Sequence, residues 1–310
     1  MTSITPSELK IVLQNTFDAC KSLDQGKLAD YIPELQKVSP QLFAVSFKPW
    51  KKSSFTDEFH LGDASTMFSL QSTSKPFSYA YLLTLIGEKN VHKKIGVEPS
   101  GEAFNSIVEL EKKFNRPYNP MINSGAIAVA GLLVQELGEQ ALPKTLQFFS
   151  DLAGEQLKIN KAIFTSEKET AHRNRSIAHL LRSFNIIGDQ IEEALDLYFS
   201  LCSIEVNTKI LANMASHLIE KQSPMLRPEI SKNVLSLMFT CGMYDTAGEW
   251  AFEVGLPAKS GVSGCLFVSV PKVGSLALYS PRINEHGHSV RSEYFVKTLV
   301  KSTGWHIFQA

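Results

Sequence analysis

The sequence predicts an α+β fold in which a mixed, mainly antiparallel sheet is flanked by helices and interrupted by a helical insertion. Segments rich in strand-forming residues occur early, in "QLFAVSF" and "SSFTDEFHLG", and late, in "SGVSGCLFVSVP" and "GSLALYSP". Between about Val91 and Lys232, helical signals dominate and strand signals almost vanish. Because neither group of strands can form a stable sheet alone, we expect both to join in one sheet.

The first ninety residues are expected to form a helix, a hairpin and a buried helix. Residues 7–22 carry apolar side chains at helical spacing, with Ser7 as the candidate N-cap. The lysine-rich "KPWKK" separates the two early strands and is typical of a solvated turn. Residues 77–86 are apolar nearly all round, so this helix should lie inside the protein.

The end of the chain is expected to complete the sheet. We interpret "EWAFEVGLP" as a further strand of a late meander and residues 289–302 as the last helix. The predicted domains are therefore a sheet-containing domain, residues 1–90 together with 233–310, and a helical insertion domain, residues 91–232.

Composition excludes several classes of function. The 310 residues include 31 Lys plus Arg and 31 Asp plus Glu, so no bulk charge attracts nucleic acid or an anionic membrane. No apolar run approaches membrane-spanning length, and "MTSITPSELK" lacks an export signal, which predicts a cytoplasmic protein. The four cysteines are dispersed, and "EHGH" at residues 285–288 is better explained by a solvated turn than by a metal loop. We expect no metal or cofactor.

Ser72 and Lys75, in "QSTSKPF", are candidates for a nucleophile and its base. Three positions apart on a helix, the two side chains lie within reach of each other. Burial beside an apolar helix would lower the pKa of the lysine, as a base requires. Pro76 fits a helix only in its first turn, which places Ser72 at the helix start.

The S-x-x-K spacing alone is weak evidence for catalysis. It recurs at Ser7 and Ser269, where no buried helix follows, and a capping serine with a solvated lysine explains it equally well. The late segment "AKSGVSG" adds specificity, because S-x-x-K before a helix and K-[ST]-G on a late strand together are the signature of penicillin-recognising serine acyl enzymes. The backbone N–H groups of Ser72 and Val262 could then form an oxyanion hole.

Other polar residues have two explanations each. Asn123, Glu167 and Asn174 precede or lie within helical segments, where caps and turns use the same residue types. Tyr198 lies in an apolar context and Tyr244 in a glycine-bounded loop that looks flexible. A tyrosine in such a place is more often a core residue than a proton relay, and these alternatives stay open at this stage.

A set of longer motifs resembles the serine-dependent glutaminases, both bacterial and kidney-type. The matching blocks extend from Ala29 to about Arg291 and include "ADYIPEL", "QSTSKPF", "NPMINSGAI", "YFSLCSIEV", "SLMFTCGMYD" and "VGLPAKSGVSG". The resemblance implies a fold similar to serine β-lactamases and the hydrolysis of L-glutamine to L-glutamate and ammonia. It also implies Ser72 as the nucleophile, Lys75 as the general base, no cofactor, and a homodimer or homotetramer.

The resemblance further implies a set of substrate-binding residues. They are Tyr31, Ser72, Asn123, Glu167, Asn174, Tyr198, Tyr244 and Val262. Glu167 is the only carboxylate among them, so we assign it to the α-ammonium group of glutamine. As a third catalytic residue, Tyr244 is our candidate to pass a proton with Lys75 to the departing ammonia.

Two alternatives compete with a glutaminase. A β-lactamase-like enzyme acting on another amide would need only the S-x-x-K and K-S-G motifs, although export to a cell-wall substrate is not indicated. A catalytically silent sensor would bind glutamine without turnover, and the presence of Ser72, Lys75 and Tyr244 argues against it.

Overall fold

The computed structural model describes residues 4–30, 32–100, 115–221 and 223–309. Within these ranges the helices are α1 (Pro6–Cys20), α2 (Lys75–Ile86), α3 (Glu88–Lys94), α4 (Asn123–Leu137), α5 (Ala141–Ala153), α6 (Lys161–Thr170), α7 (His172–Ser183), α8 (Ile191–Cys202), α9 (Thr208–Ile219), α10 (Pro228–Cys241), α11 (Ala247–Glu253) and α12 (Val290–Thr303). The strands are β1 (Ala44–Pro49), β2 (Phe59–Gly62), β3 (Phe68–Ser69), β4 (Lys158–Ile159), β5 (Ile204–Val206), β6 (Ala258–Gly261), β7 (Cys265–Val270) and β8 (Gly274–Tyr279).

The early and late strands form one antiparallel sheet, as predicted. Its strand order is β2-β1-β8-β7-β6, and β1 pairs with β8 from Ala44 opposite Tyr279 to Pro49 opposite Gly274. In the chain, the helical block lies between β2 and β6, which are the two opposite edges of this sheet. Residues near position 70 lie close to residues near position 260, since Ser263 Oγ donates to the Ser69 carbonyl at 2.8 Å.

The two faces of the sheet are covered by different helices. Side chains alternate along a strand, so neighbouring residues enter different cores. Leu266 and Leu278 pack with α1 and α12, whereas Phe267 and Tyr279 pack with the helices of the inserted block. Every residue of β7 and β8 is buried as a result.

Helix α9 binds the inserted block directly to the sheet. Thr208 Oγ1 lies 2.8 Å from Ser46 Oγ on β1, and Ser275 Oγ on β8 donates to the Ala212 carbonyl at 2.7 Å. These buried polar contacts fix the helix against the strands. The proposed boundary at residue 232 lies within α10, so a division there would cut a helix, and the two-domain division stays a proposal.

Three local predictions need correction. The first helix is capped by Thr5, which forms a reciprocal capping box with Glu8, and not by Ser7. The segment "EWAFEVGLP" contains helix α11 and not a strand: its aromatic content suggested a strand, but Ala247 and Trp250 are buried at helical spacing. A second sheet, β3-β5-β4, was also not expected; β3 precedes the inserted block, and β4 and β5 lie within it. None of the helices in the described ranges is long and apolar enough to cross a bilayer.

Candidate active site

The turn before α2 places Ser72 at the junction of the sheet and the helical block. Strand β3 leads into a 3₁₀ turn at Gln71–Ser74, and Pro76 lies in the first helical turn, where its missing N–H costs no bond. The Thr73 and Ser74 hydroxyls donate to the carbonyls of Leu70 and Gln71. The Ser72 side chain is directed instead towards Lys75.

Lys75 contacts Ser72 in a buried setting. Its Nζ lies 3.1 Å from Ser72 Oγ and 2.7 Å from Asn123 Oδ1. Burial disfavours the ammonium form and lowers the pKa of Lys75 to about 8, although the acidic groups of Cys202 and Glu167 partly oppose this. About a tenth of the lysine is then neutral at pH 7. The alternative of a solvated lysine is wrong, since Lys75 is 1% exposed.

Asn123 and Asn174 extend this contact into a chain of polar side chains. Asn123 is the first residue of α4, and its Nδ2 donates to Asn174 Oδ1 at 3.2 Å. The start of α4 lies close to the preceding segment, and glycine at position 125 permits this approach. A Cβ there would lie 1.9 Å from the Asn119 carbonyl oxygen.

Glu167 is a buried carboxylate beside these residues. It lies on α6 and is 6% exposed. Burial raises the pKa of Glu167 to about 7, while a hydrogen bond from the Gln71 side chain and the charge of Lys75 act in the opposite direction. A group with this pKa can hold a negative charge near neutral pH and attract a cation.

Two residues that the sequence did not single out belong to this cluster. Gln71 contacts Glu167 and has a φ of +49°, a conformation that is strained for a residue with a Cβ. The buried Cys202 thiol accepts a hydrogen bond from Tyr198. The charge of Glu167 raises the pKa of Cys202, and the charge of Lys75 lowers it. The sequence offered one indication that Cys202 belongs to the site. It lies four residues after Tyr198, and residues four apart lie on the same face of a helix.

Tyr244 lies against Ser72. It begins a 3₁₀ turn with a φ of +52°, and its hydroxyl donates to the Ser260 carbonyl at 3.0 Å. The Ser72 hydroxyl also hydrogen-bonds to it, and burial raises the pKa of the Tyr244 phenol. The Tyr244 side chain is therefore buried with its oxygen at Ser72.

The K-S-G strand ends directly on the Ser72 turn. A Cβ at Gly261 would lie 3.0 Å from the Leu70 carbonyl oxygen, and Ser263 Oγ donates to the Ser69 carbonyl at 2.8 Å. Val262, between them, is 2% exposed. A side chain at position 261 would crowd both the Leu70 carbonyl and Cys265 Sγ, so glycine favours this close approach of strand to turn.

Lys259 is a second buried lysine near Tyr244. Its Nζ donates to the carbonyls of Gly242 at 3.1 Å and Ser260 at 2.8 Å, and lies 4.1 Å from the Tyr244 ring centre. Burial, and then repulsion from Lys75, lowers the pKa of Lys259 well below its ordinary value.

The segment "EHGH" is only partly the solvated turn that was expected. Glu285 is exposed, but His288 is 2% exposed and lies behind Tyr244. In the part of the chain that the structure describes, no three His, Cys, Asp or Glu side chains are arranged to hold a metal ion.

The structure thus brings most of the predicted site together. Ser72, Lys75, Asn123 and Asn174 form one hydrogen-bonded chain, with Glu167 beside it. Tyr244, Val262 and Tyr198 lie in the surrounding wall. Tyr31 lies outside the described residues.

The chain is similar to several known proteins. The glutaminase of Nostoc sp. is 41% identical over 99% of this chain and 92% of its own length. The glutaminase of Clostridium tetani is 35% identical over 96% of this chain and 98% of its own length. The solved structure of the probable glutaminase ybaS is 34% identical, covers 99% of this chain and 100% of its own, and superimposes with a TM-score of 0.93.

A second solved structure, Mglu in its glutamate form, gives a TM-score of 0.89 at 34% identity, over 96% of this chain and 68% of its own. These superpositions confirm the predicted β-lactamase-like fold. The glutaminase family model matches residues 26–308. The chain therefore belongs to the glutaminase family.

Proposed function

We propose that this protein hydrolyses L-glutamine to L-glutamate and ammonia through a γ-glutamyl ester on Ser72. The observation that carries the proposal is the contact between Lys75 Nζ and Ser72 Oγ, at 3.1 Å, in a chain that belongs to the glutaminase family. Lys75 is buried and its pKa is lowered to about 8, so its neutral amine is accessible near neutral pH. These are the requirements for activating a serine with an amine base.

Acylation begins when neutral Lys75 accepts the Ser72 proton. Ser72 Oγ then attacks the side-chain amide carbon of glutamine, and the carbonyl oxygen becomes an oxyanion. We assign the N–H groups of Ser72 and Val262 to this oxyanion, since the strand that carries Val262 ends on the Ser72 turn.

The amide nitrogen must be protonated before it leaves as ammonia. Tyr244 accepts a hydrogen bond from Ser72. It can donate its hydroxyl proton to the departing nitrogen while it accepts a proton from Lys75. When ammonia has left, Lys75 accepts a proton from water. The resulting hydroxide attacks the ester, and the proton returns to Ser72 as glutamate is released.

Specificity for glutamine requires recognition of its α-ammonium and α-carboxylate groups. Glu167 is assigned to the ammonium, because it is the carboxylate among the predicted site residues. Tyr31, Asn123, Asn174 and Tyr198 supply neutral hydrogen bonds for the rest of the substrate. Their neutrality matters, because a fixed cation near Lys75 would lower its pKa further, and an anion would raise it.

Glu167→Gln should weaken recognition of the ammonium group selectively. We expect kcat/KM for L-glutamine to fall about 100-fold, because a charged hydrogen bond becomes a neutral one in a buried site. Glutamine without its amino group, 4-carbamoylbutanoate, should lose less than about threefold. Steady-state ammonia assays on both substrates measure the difference, and equal losses on both would contradict the assignment.

The pH dependence should follow Glu167 and Lys75. Both groups act in their deprotonated forms, so kcat/KM should rise with pH, most steeply below about 7 and by up to about tenfold between pH 7 and 8, then level off. Glu167→Gln should remove the break near 7 and move the remaining Lys75 break to lower pH, because the charge of Glu167 raises the pKa of Lys75. A wild-type profile that falls between about pH 7 and 8 would oppose these roles.

The activity itself is tested by comparing the turnover of three substrates. Purified protein is incubated separately with L-glutamine, L-asparagine and a chromogenic β-lactam, and ammonia or ring opening is followed. We expect turnover of glutamine to exceed that of the other two by at least about 100-fold. Faster turnover of the β-lactam would favour the other acyl enzyme, and glutamine-induced thermal stabilisation without ammonia would favour a sensor.

We also propose a cytoplasmic homodimer or homotetramer. Family resemblance supports the assembly. Light scattering on the purified protein distinguishes a dimer or tetramer from a monomer of 34.4 kDa.

A further inference from the structure

His288 lies directly behind Tyr244, in the segment that follows β8. The rings of the two residues stack with their centres 5.3 Å apart and their planes 10° from parallel. His288 is 2% exposed. Its Nδ1 lies 2.9 Å from Ser260 Oγ on β6, and its Nε2 lies 2.8 Å from Thr246 Oγ1 in the Tyr244 turn.

The neighbouring hydrogen bonds select one tautomer of His288. The Thr246 hydroxyl donates its proton to the Met243 carbonyl at 2.9 Å, so it must accept from His288 Nε2–H. Nδ1 is then the acceptor, and the Ser260 hydroxyl donates to it. Burial, and then the charge of Lys259, lowers the pKa of His288 to about 3, so the imidazole stays neutral near pH 7.

Both partners of His288 hold Tyr244. The Ser260 carbonyl accepts the Tyr244 hydroxyl proton, and Thr246 ends the short turn that Tyr244 begins. The φ of Tyr244 is +52°, a conformation that persists only where the surroundings enforce it. His288 connects the turn to strand β6 and therefore constrains the backbone and the hydroxyl of Tyr244 together.

We infer that His288 is a positioning residue, which holds the Tyr244 hydroxyl at Ser72 by joining the Tyr244 turn to the K-S-G strand. The inference rests on the proposed function, since His288 acts only through Tyr244. The segment that carries His288 also packs against Tyr244 and Val262: a Cβ at Gly287 would lie 3.7 Å from both the Tyr244 ring and the Val262 side chain. His288 thus supports the site without touching the reacting atoms.

The neighbouring histidine offers a matched control. His286 is partly exposed, and its Nδ1 lies 3.1 Å from Asp245 Oδ2, so it joins the same two segments at the surface. It has no contact with Ser260 or Thr246 among the hydrogen bonds of the described residues. His286→Ala removes an imidazole of the same segment and should leave kcat within about twofold.

The experiment compares His288→Leu and His288→Asn in two backgrounds, wild type and Tyr244→Phe. Leucine removes both hydrogen bonds, whereas the asparagine oxygen can still accept from Ser260 Oγ. In the wild-type background we expect His288→Leu to lower kcat about 30-fold with KM changed less than about threefold, and His288→Asn to lower kcat less. In the Tyr244→Phe background both substitutions should have effects within about threefold, because the group that they position is gone.

Equal losses in the two backgrounds would overturn the inference, and so would an unchanged kcat in a folded His288→Leu protein. If His288→Leu does not fold, the same comparison is made with His288→Asn, whose kcat must still fall in the wild-type background only. A wild-type protein that releases no ammonia from glutamine would refute the proposed function and this inference with it. An active wild type with unaffected His288 variants would refute only the inference.

Discussion

Replacing Ser72 with alanine is expected to lower kcat for L-glutamine by about 10⁴-fold or more, because no ester can form without the hydroxyl oxygen. Glutamine should still bind, since the other contacts remain. Ammonia release measures kcat, and isothermal titration with glutamine measures binding to the inactive variant. The loss should be of the same order at every pH, as it removes the nucleophile and not its activation.

Ser78→Ala is the matched control for this substitution. Ser78 lies on α2, six residues after Ser72, is buried, and donates to the Lys75 carbonyl at 3.0 Å. The same atom is removed there without touching the Lys75 amine, so kcat should stay within about threefold. If Ser72→Ala retained more than a tenth of the wild-type rate, another nucleophile would have to be sought.

Lys75→Met is expected to lower kcat about 10³-fold, because it removes the base while roughly preserving side-chain length and packing. The variant should unfold at no lower temperature than the wild type, since it removes an amine that is costly to bury in its charged form. A stable but inactive protein would separate catalysis from folding. Ammonia assays and thermal unfolding provide the two measurements.

Lys75→Arg tests whether a neutral amine is needed. Arginine keeps a positive charge beside Ser72 but stays protonated at any accessible pH. We therefore expect it to be at least as inactive as Lys75→Met, and its activity should not recover between about pH 7 and 9. Substantial activity in Lys75→Arg would mean that the positive charge of Lys75, and not its basicity, matters.

The main sheet could be predicted because the residues of each strand themselves show the pattern of a strand. Each group of strands shows its own pattern, and neither is stable alone, which leads to the pairing of β1 with β8. Strands of two or three residues, such as Phe68–Ser69 and Ile204–Val206, are too short to show any period. In α11, the aromatic residues indicated a strand, while burial of Trp250 at helical spacing determined the outcome.

Some contacts of the candidate site could be predicted from the sequence, and others could not. The contact of Ser72 with Lys75 follows from local spacing, so the sequence was sufficient to propose it. The meeting of Asn123 with Asn174 depends on how separate helices pack, and only family resemblance indicated it. His288 was misjudged because Gly and Asn nearby suggested a solvated turn, and its burial results from packing on a residue 44 positions earlier in the chain.

The proposed mechanism requires an ester on Ser72 as its intermediate. Rapid acid quenching during the first turnover with L-glutamine, followed by peptide mass spectrometry, tests it most directly. We predict that the peptide containing Ser72 gains one glutamyl group, and that Ser72→Ala shows no such peptide. Formation of glutamate in the first turnover while the Ser72 peptide stays unmodified would contradict the account.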